Sequence, residues 1–145
     1  MPRLSNPTNK QAIRSLDNKM KPFVRNYGFC ESCGTQQGLT DSHIIGCGHL
    51  KTRWDPRNNQ CLCWNNCHSK SETQPMVFSQ FVDSSSCGQY VDTMTVQANA
   101  RTKPDYDLWF KIYAIIKERG YDLEQARQWL GRHIMLCELD LAKLD

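Results

Sequence analysis

The chain has 145 residues, 39% of them hydrophobic and 10% aromatic, which is enough apolar material for one folded domain with its own core. No window approaches the roughly 18 consecutive apolar residues of a membrane span, and the N-terminus lacks the apolar stretch of a secretory signal. We therefore expect a cytoplasmic protein with no membrane partner. Disulfides are rare in that compartment, so the eight cysteines are expected to bind metal or to be buried.

Charge is divided unevenly between the two halves of the chain. Residues 1–70 contain 10 Lys/Arg against 4 Asp/Glu, whereas residues 71–145 contain 8 against 11. The basic half is where a polyanion such as nucleic acid would dock. An ordinary solvated surface often shows the same asymmetry, so the charge pattern alone carries little weight.

The first third of the chain predicts a helix and two strands. Residues 1–9 contain two prolines and no periodic pattern, and they are expected to form an arm. A helix is predicted from Lys10 to Met20, because apolar residues recur there at helical spacing, and Pro22 is expected to end it. Short strands are predicted within "FVRNYGFC" and within "LTDSHIIG".

The rest of the chain is predicted to be loop and then helix. Residues 46–66 are rich in Gly, Pro and Asn and are expected to be loop. Helices are predicted from His68 towards Val82 and from Tyr90 to Asn99, with a break at residues 84–89.

The C-terminal part predicts a helical hairpin. Pro104 suits the first turn of a helix that stops at Gly120, and Asp122 with Gln125 forms a capping box for the last helix. The apolar side of that last helix comprises Leu123, Ala126, Leu130, Ile134 and Cys137.

Two cysteine pairs predict a metal site. Cys30-x-x-Cys33 on a tight turn can bind one tetrahedral ion, and Cys63-x-x-x-Cys67 is the best second pair, with Cys61 as the alternative to Cys63. Such pairs in a small domain favour a structural zinc bound by four cysteines over plain burial. Other possible ligands, at Cys47 and His49, are close together but lack further partners.

A second group of residues predicts chemistry beyond structural zinc. His43 lies at the end of a predicted strand, Asp41 lies two residues before it, and His68 directly follows the last zinc cysteine. If zinc joins strand and helix, these side chains meet in a pattern that suits metal-assisted phosphodiester hydrolysis. Asp41 and His68 would bind a divalent cation, and His43 would be the general base.

Several of these residues form part of a known motif, namely Cys30, Cys33, His43, Asn58, Cys63, Cys67, His68 and Lys70. In this order they resemble the motif of HNH (ββα-metal) nucleases. Within that superfamily, "SHIIGCGHLKTRWDPRN" is similar to the pattern of the NinG (Rap) recombination nucleases of phages. The matching positions are His43, His49, Thr52, Arg53, Trp54, Asp55 and Asn58. The resemblance extends from Phe29 to Glu72.

The resemblance implies an α+β fold. Residues 23–83 would form a zinc-stapled ββα-metal core, residues 1–22 a basic arm and helix, and residues 84–145 a helical region. It also implies a metal-dependent endonuclease that cuts branched or structured DNA in phage recombination, in the host cytoplasm if phage-encoded.

The catalytic and zinc-binding residues follow from the same resemblance, whereas the DNA and dimer contacts are inferred from the basic and apolar residues themselves. His43 would be the base, His68 a ligand of catalytic Mg²⁺ or Mn²⁺, and Asn58 the residue that ties the loop and orients His43. Zinc would be held by Cys30, Cys33, Cys63 and Cys67. The candidate DNA contacts are Lys51, Arg53, Arg57 and Lys70. The acidic helical tail would either disfavour the wrapping of a long straight duplex or serve as a homodimer contact through Leu108, Trp109 and Ile112.

The chain departs from the family pattern at three points. Ser42 stands where many HNH enzymes place a metal ligand, so Asp41 or water would replace it. The last cysteine pair is spaced by three residues instead of two, and Asn58 is followed by Asn59, which leaves the register open. The alternatives are a restriction-type or homing-type HNH nuclease that reads duplex DNA, and a catalytically inactive zinc-dependent DNA-binding module.

Overall fold

The computed structural model describes residues 9–133, which form an α+β fold of six α-helices and one two-stranded antiparallel sheet. None of the helices in that range is both long and apolar enough to cross a membrane. In chain order the elements are α1 (Asn9–Arg25), β1 (Leu39–His43), β2 (Asn59–Cys63), a π-helical segment (Trp64–His68), α2 (Lys70–Thr73), α3 (Pro75–Ser84), a 3₁₀ turn (Gly88–Tyr90), α4 (Val91–Asn99), α5 (Tyr106–Arg119) and α6 (Leu123–His133).

Helix α1 continues through Pro22, so the predicted stop at this proline and the predicted strand after it are both wrong. Pro22 lies on the exposed side of the helix, and its carbonyl still accepts the backbone N–H of Asn26 at 2.9 Å. The buried side of α1 continues past the proline to Val24. Burial of this apolar stripe outweighs the one backbone hydrogen bond that proline removes. The stripe comprises Ala12, Leu16, Met20 and Val24.

The sheet pairs Leu39 with Cys63 at one end and His43 with Asn59 at the other. Strand β1 confirms the strand predicted within "LTDSHIIG". Strand β2 lies inside residues 46–66, which were predicted to be loop, and that prediction is wrong. Every residue of β2 is buried, including its polar ones, so the strand shows no alternation of polar and apolar residues.

The helical prediction between His68 and Val82 is confirmed in outline. The segment is divided, because Pro75 begins α3 and separates it from α2. Helix α4 confirms the helix predicted from Tyr90 to Asn99.

The helical hairpin is also confirmed as far as His133. Helix α5 ends where Gly120 adopts a left-handed conformation, with φ of +64°. The capping box is formed, since Asp122 Oδ1 accepts the Gln125 N–H at 2.8 Å and Gln125 Oε1 accepts the Asp122 N–H at 3.0 Å. The remaining predicted positions of this helix, Ile134 and Cys137, lie outside the described residues.

Helices α1, α5 and α6 pack with one face of the sheet into the main core. The hydroxyl of Tyr113 on α5 donates to the carbonyl of Trp54, which joins the hairpin to the loop between the strands. Trp109 and Ile112 are 6% and 0% exposed in this core, and Leu108 packs against it. The predicted dimer contact through Trp109 and Ile112 is therefore wrong, while a contact through Leu108 and dimerisation itself stay predictions.

Candidate functional site

The four predicted zinc cysteines come together at the end of the sheet where Leu39 pairs with Cys63. Their sulfur atoms all lie within 4.8 Å of one another. Tetrahedral zinc with Zn–S bonds of about 2.3 Å would place sulfurs about 3.8 Å apart, and Cys33 Sγ lies 3.7 Å from Cys63 Sγ. The cluster could therefore hold a structural metal such as zinc. Cys61 lies in the main core instead, where burial raises the pKa of its thiol to about 11.

The turn that carries the first cysteine pair stabilises the thiolate form of Cys30. Gly34 has a φ of +81°, which a glycine adopts without strain, and its N–H donates to the Cys30 carbonyl at 2.9 Å. Burial disfavours the Cys30 thiolate, yet backbone N–H groups of Cys33, Cys63 and Ser32 lower the pKa of this thiol to about 7. Metal binding to such a site releases the remaining thiol protons.

His43 lies at the opposite end of β1, and its side chain is 16% exposed. Its Nε2–H donates to the Arg53 carbonyl at 2.9 Å, because a carbonyl can only accept. The lone pair of the neutral ring is then on Nδ1, which lies 3.7 Å from Asp41 Oδ2. Burial lowers the pKa of His43, so this ring is neutral near pH 7.

Asp41 is buried beside His43, with a side chain that is 4% exposed. Burial raises its pKa to about 7, against the opposing effect of Lys21. Its Oδ1 has no hydrogen-bond partner among the described residues. Asp41 and His43 therefore form a carboxyl–imidazole pair on the side of β1 that faces α1.

Asn58 fastens the loop that connects the two strands. Its Oδ1 accepts the Ile45 N–H at 2.6 Å, and its Nδ2 donates to the carbonyls of Ile45 and Thr52, each at 3.0 Å. Asn59 adds a second tie, since its Nδ2 donates to the Arg53 carbonyl at 3.0 Å, the same carbonyl that accepts from His43. Both asparagines thus fix the backbone that orients the imidazole.

Asp17 of α1 is a further part of this site that the sequence did not reveal. Its Oδ1 accepts from Arg53 Nε and from Trp54 Nε1, both at 2.9 Å, and its Oδ2 accepts from a second Arg53 nitrogen at 2.7 Å. Asp17 thereby holds the two residues next to the carbonyl that receives His43. The residues lie 36 and 37 positions apart, and no local motif connects them.

His68 lies on the other side of β1. The Thr40 hydroxyl donates its one proton to the Leu62 carbonyl at 2.7 Å, so His68 Nδ1–H must donate to Thr40 Oγ1, also at 2.7 Å. The lone pair of His68 is therefore on Nε2, and burial lowers the pKa of this ring. Glu72, one turn further along the chain, opposes that effect.

The predicted pair of cation ligands, Asp41 and His68, is not brought together. Successive residues of a strand point to opposite faces, so Thr40 points towards His68 and Asp41 points towards α1. The prediction that Asp41 completes a cation site with His68 is therefore wrong.

Two of the predicted DNA contacts are occupied within the fold. Arg57 has a side chain that is 1% exposed and forms a buried ion pair with Asp55 at 2.6 Å, so its assignment to DNA is wrong. Arg53 is held in a forked pair by Asp17 and also donates to the Cys47 carbonyl at 2.9 Å. Lys51 and Lys70 are partly exposed and stay predictions.

Arg127 of α6 is a second residue that sequence analysis missed. Its buried guanidinium donates to Glu31 of the cysteine turn at 2.5 and 2.9 Å, and to the carbonyls of Pro56 and Asn59 at 3.0 and 2.7 Å. Glu31 in turn accepts the Cys61 N–H at 2.7 Å. One arginine thus joins the cysteine turn, the loop and β2.

Comparison of the chain with protein-family models, with curated proteins and with solved structures finds no match. Function is therefore inferred from the side chains themselves. Between residues 9 and 133, the four-cysteine cluster is the only group of three or more His, Cys, Asp or Glu residues placed to hold a metal. The Asp41–His43 pair places a carboxyl oxygen 3.7 Å from an imidazole nitrogen, and His68 can offer one nitrogen ligand.

Proposed function

We propose that the protein is a metal-dependent DNA endonuclease of the HNH type, and that branched or otherwise structured DNA is its substrate. One observation carries this proposal. Asn58 ties the loop at Ile45 and Thr52, and the next carbonyl along, that of Arg53, accepts the Nε2–H of His43. The HNH resemblance assigns this orienting role to the asparagine of the motif.

His43 is the proposed general base. Its neutral ring carries a lone pair on Nδ1, which can take the proton from the attacking water near pH 7. Asp41 lies 3.7 Å from that nitrogen and is proposed to stabilise the imidazolium that forms. Asp41 thus acts as the partner of the base instead of as a ligand of the cation.

A divalent cation, Mg²⁺ or Mn²⁺, would polarise a phosphate oxygen and stabilise the departing 3′-oxygen. His68 would bind it through Nε2, and Glu72 is the proposed carboxylate ligand because it follows His68 by four positions, about one helical turn. An imidazole ligand suits transition metals better than Mg²⁺. We therefore expect Mn²⁺ to support faster cleavage than Mg²⁺.

Cleavage of linear, flapped and four-way DNA of one sequence tests the proposal. His43→Ala is expected to slow cleavage by roughly 10²–10⁴-fold, the usual contribution of a positioned base. DNA affinity should stay almost unchanged, because other residues contact the phosphates. His133→Ala on α6 is the matched control and should keep the wild-type rate. A His43→Ala protein that cuts at the wild-type rate would contradict the proposal.

The separation of Asp41 from His68 favours a second candidate, a zinc-dependent DNA-binding module without catalysis. Binding without cleavage in Mg²⁺, Mn²⁺, Ni²⁺ or Zn²⁺ would support it. Cleavage at a fixed sequence of linear duplex, with no gain from branching, would instead favour the restriction-type or homing-type nuclease.

A further inference from the structure

The positive charge of the basic half is unequally available to a ligand. Arg53 and Arg57 are each bound to a carboxylate inside the fold. Five basic side chains of α1 are exposed, and none of them forms an ion pair with the residues that the structure describes. Lys19 lies on the opposite side of the helix from the other four. These four, which we call the α1 stripe, are Lys10, Arg14, Lys21 and Arg25.

The α1 stripe lies along one side of the helix. Its members are separated by four, seven and four positions, and at 3.6 residues per turn this spacing keeps them on one face. The stripe extends about 22 Å from end to end at 1.5 Å per residue. An open groove lies along this side of α1, lined by residues between Lys10 and Lys21.

Helix α1, which carries the stripe, packs against β1, the strand that carries the candidate base. The charges of Lys21 and Arg25 both lower the pKa of Asp41, and that of Lys21 also lowers the pKa of His43. Asp17 of the same helix holds Arg53, whose carbonyl orients His43. Helix α1 therefore connects a line of exposed positive charge to the Asp41–His43 pair.

We propose that the α1 stripe binds the sugar–phosphate backbone of DNA and leads it to His43. At about 3.4 Å per nucleotide of one strand, a stripe of this length spans roughly six phosphates. Contacts of this kind fix the position of the backbone and carry no sequence information. Only the destination of the strand rests on the proposed function, since binding to phosphates needs no catalysis.

Two variants of equal charge change test the stripe. The stripe variant combines Lys10→Gln, Arg14→Gln, Lys21→Gln and Arg25→Gln. The control variant combines four exposed positions of the acidic half, namely Lys103→Gln, Lys111→Gln, Lys117→Gln and Arg132→Gln. Binding of a fluorescent four-way junction is measured without added Mg²⁺ or Mn²⁺, so that cleavage does not occur and the zinc stays bound, between 50 and 200 mM salt. Zinc content and the urea midpoint of each variant establish that it is folded.

The stripe variant is expected to lose affinity by at least about tenfold, and the slope of log K against log salt should become shallower by about 3 to 4. The control variant should keep both the affinity and the slope. Equal losses in the two variants, no loss in the stripe variant, or a folded wild-type protein that binds no DNA would each overturn the proposal. A stripe that proves instead to hold a second copy, seen as a dimer lost only in the stripe variant, would also overturn it.

The outcome for the stripe can be distinguished from the outcome for catalysis. Wild-type protein that binds through the stripe and cuts no DNA supports the stripe and contradicts the endonuclease proposal. Cleavage abolished by His43→Ala, together with a stripe variant that binds normally, supports the endonuclease and contradicts the stripe.

Discussion

At one end of the β1–β2 sheet, where Leu39 pairs with Cys63, four sulfur atoms converge on a site for a metal such as zinc. At the other end, where His43 pairs with Asn59, the loop is held by hydrogen bonds and ion pairs from amide and carboxylate side chains and not by a metal site. We call these the cysteine end and the loop end. The cysteine end draws its ligands from two short stretches, whereas the loop end draws partners from α1 and α6 as well.

The cysteine end contributes mainly to the free energy of unfolding, whereas the loop end orients His43. A structural metal site contributes folding free energy when the ion binds. The loop end depends on many directional hydrogen bonds, each of which contributes little alone. Such a network can fix the position of one imidazole closely, and this is where His43 lies.

Loss of the metal should produce the largest effect. We predict one tightly bound zinc per chain and unfolding of the core in Cys63→Ser, since a structural zinc site contributes on the order of 10 kcal/mol or more. Cys61→Ser is the matched control, two positions along the same strand, and should keep the zinc at a cost of about 1–3 kcal/mol for a buried hydroxyl. Metal analysis and urea unfolding measure both. Zinc lost from Cys61→Ser, or a stable metal-free fold, would contradict the assignment.

Removal of the Arg127 guanidinium should have the next largest effect. Arg127→Met removes the guanidinium donors from the Glu31 carboxylate and from the carbonyls of Pro56 and Asn59. We expect a loss of about 3–5 kcal/mol of unfolding free energy, as for one partner of a buried ion pair. Arg132→Met, an exposed position of the same helix, should change stability by less than about 0.5 kcal/mol. Equal effects in urea unfolding would show that Arg127 does not connect the two ends.

Asn58→Ala tests whether the loop end is independent of the cysteine end. The change removes three hydrogen bonds and should cost roughly 2–3 kcal/mol. Zinc content should stay at the wild-type level, because the hydrogen bonds of this side chain go to Ile45 and Thr52 and not to the cysteines. Asn65→Ala, at an exposed asparagine, is the control. Loss of zinc from Asn58→Ala would mean that the two ends form a single cooperative unit.

The same comparison explains which features were predictable. The cysteine turn, the capping box at Asp122 and the stop at Gly120 are local signals. The residues that form each of them lie within five positions of one another in the sequence. The loop end was only partly predictable: His43 and Asn58 came from the motif. Asp17 and Arg127 were missed because their partners lie tens of residues away in sequence.

The misassigned elements have physical causes of the same kind. Strand β2 is buried on both faces and still contains polar residues, so its sequence lacks the alternation of polar and apolar residues that would predict a strand. Helix α1 passes Pro22 because Val24 is buried by elements that are distant in sequence. Arg57 was assigned to DNA because a charged loop residue is usually exposed, and its pairing with Asp55 could not be distinguished from a simple turn.

The pH dependence of stability should give the smallest effect, and it reports on Asp41 at the loop end. Burial raises the folded-state pKa of Asp41 from 3.8 to about 7, so the folded protein holds a proton that the unfolded chain has already lost. Stability from this group is full below the unfolded pKa and is lost as pH rises through about 7. Between about pH 6.5 and 8.5 the loss should be about 1 kcal/mol.

Asp41→Asn should abolish this loss, so the stability difference between variant and wild type should grow with pH in urea titrations. The lowered pKa of His43 acts in the opposite direction, but only below its ordinary value of 6.5, which is why the window begins there. Asp83→Asn, at an exposed carboxylate, is the control and should follow the wild-type curve. Thiols of the unfolded chain also titrate in this range, and they cancel because wild type and variants share them. A difference that stays constant with pH would mean that Asp41 is ionised beside His43 throughout, and that the carboxyl–imidazole pair already carries a charge before any substrate binds.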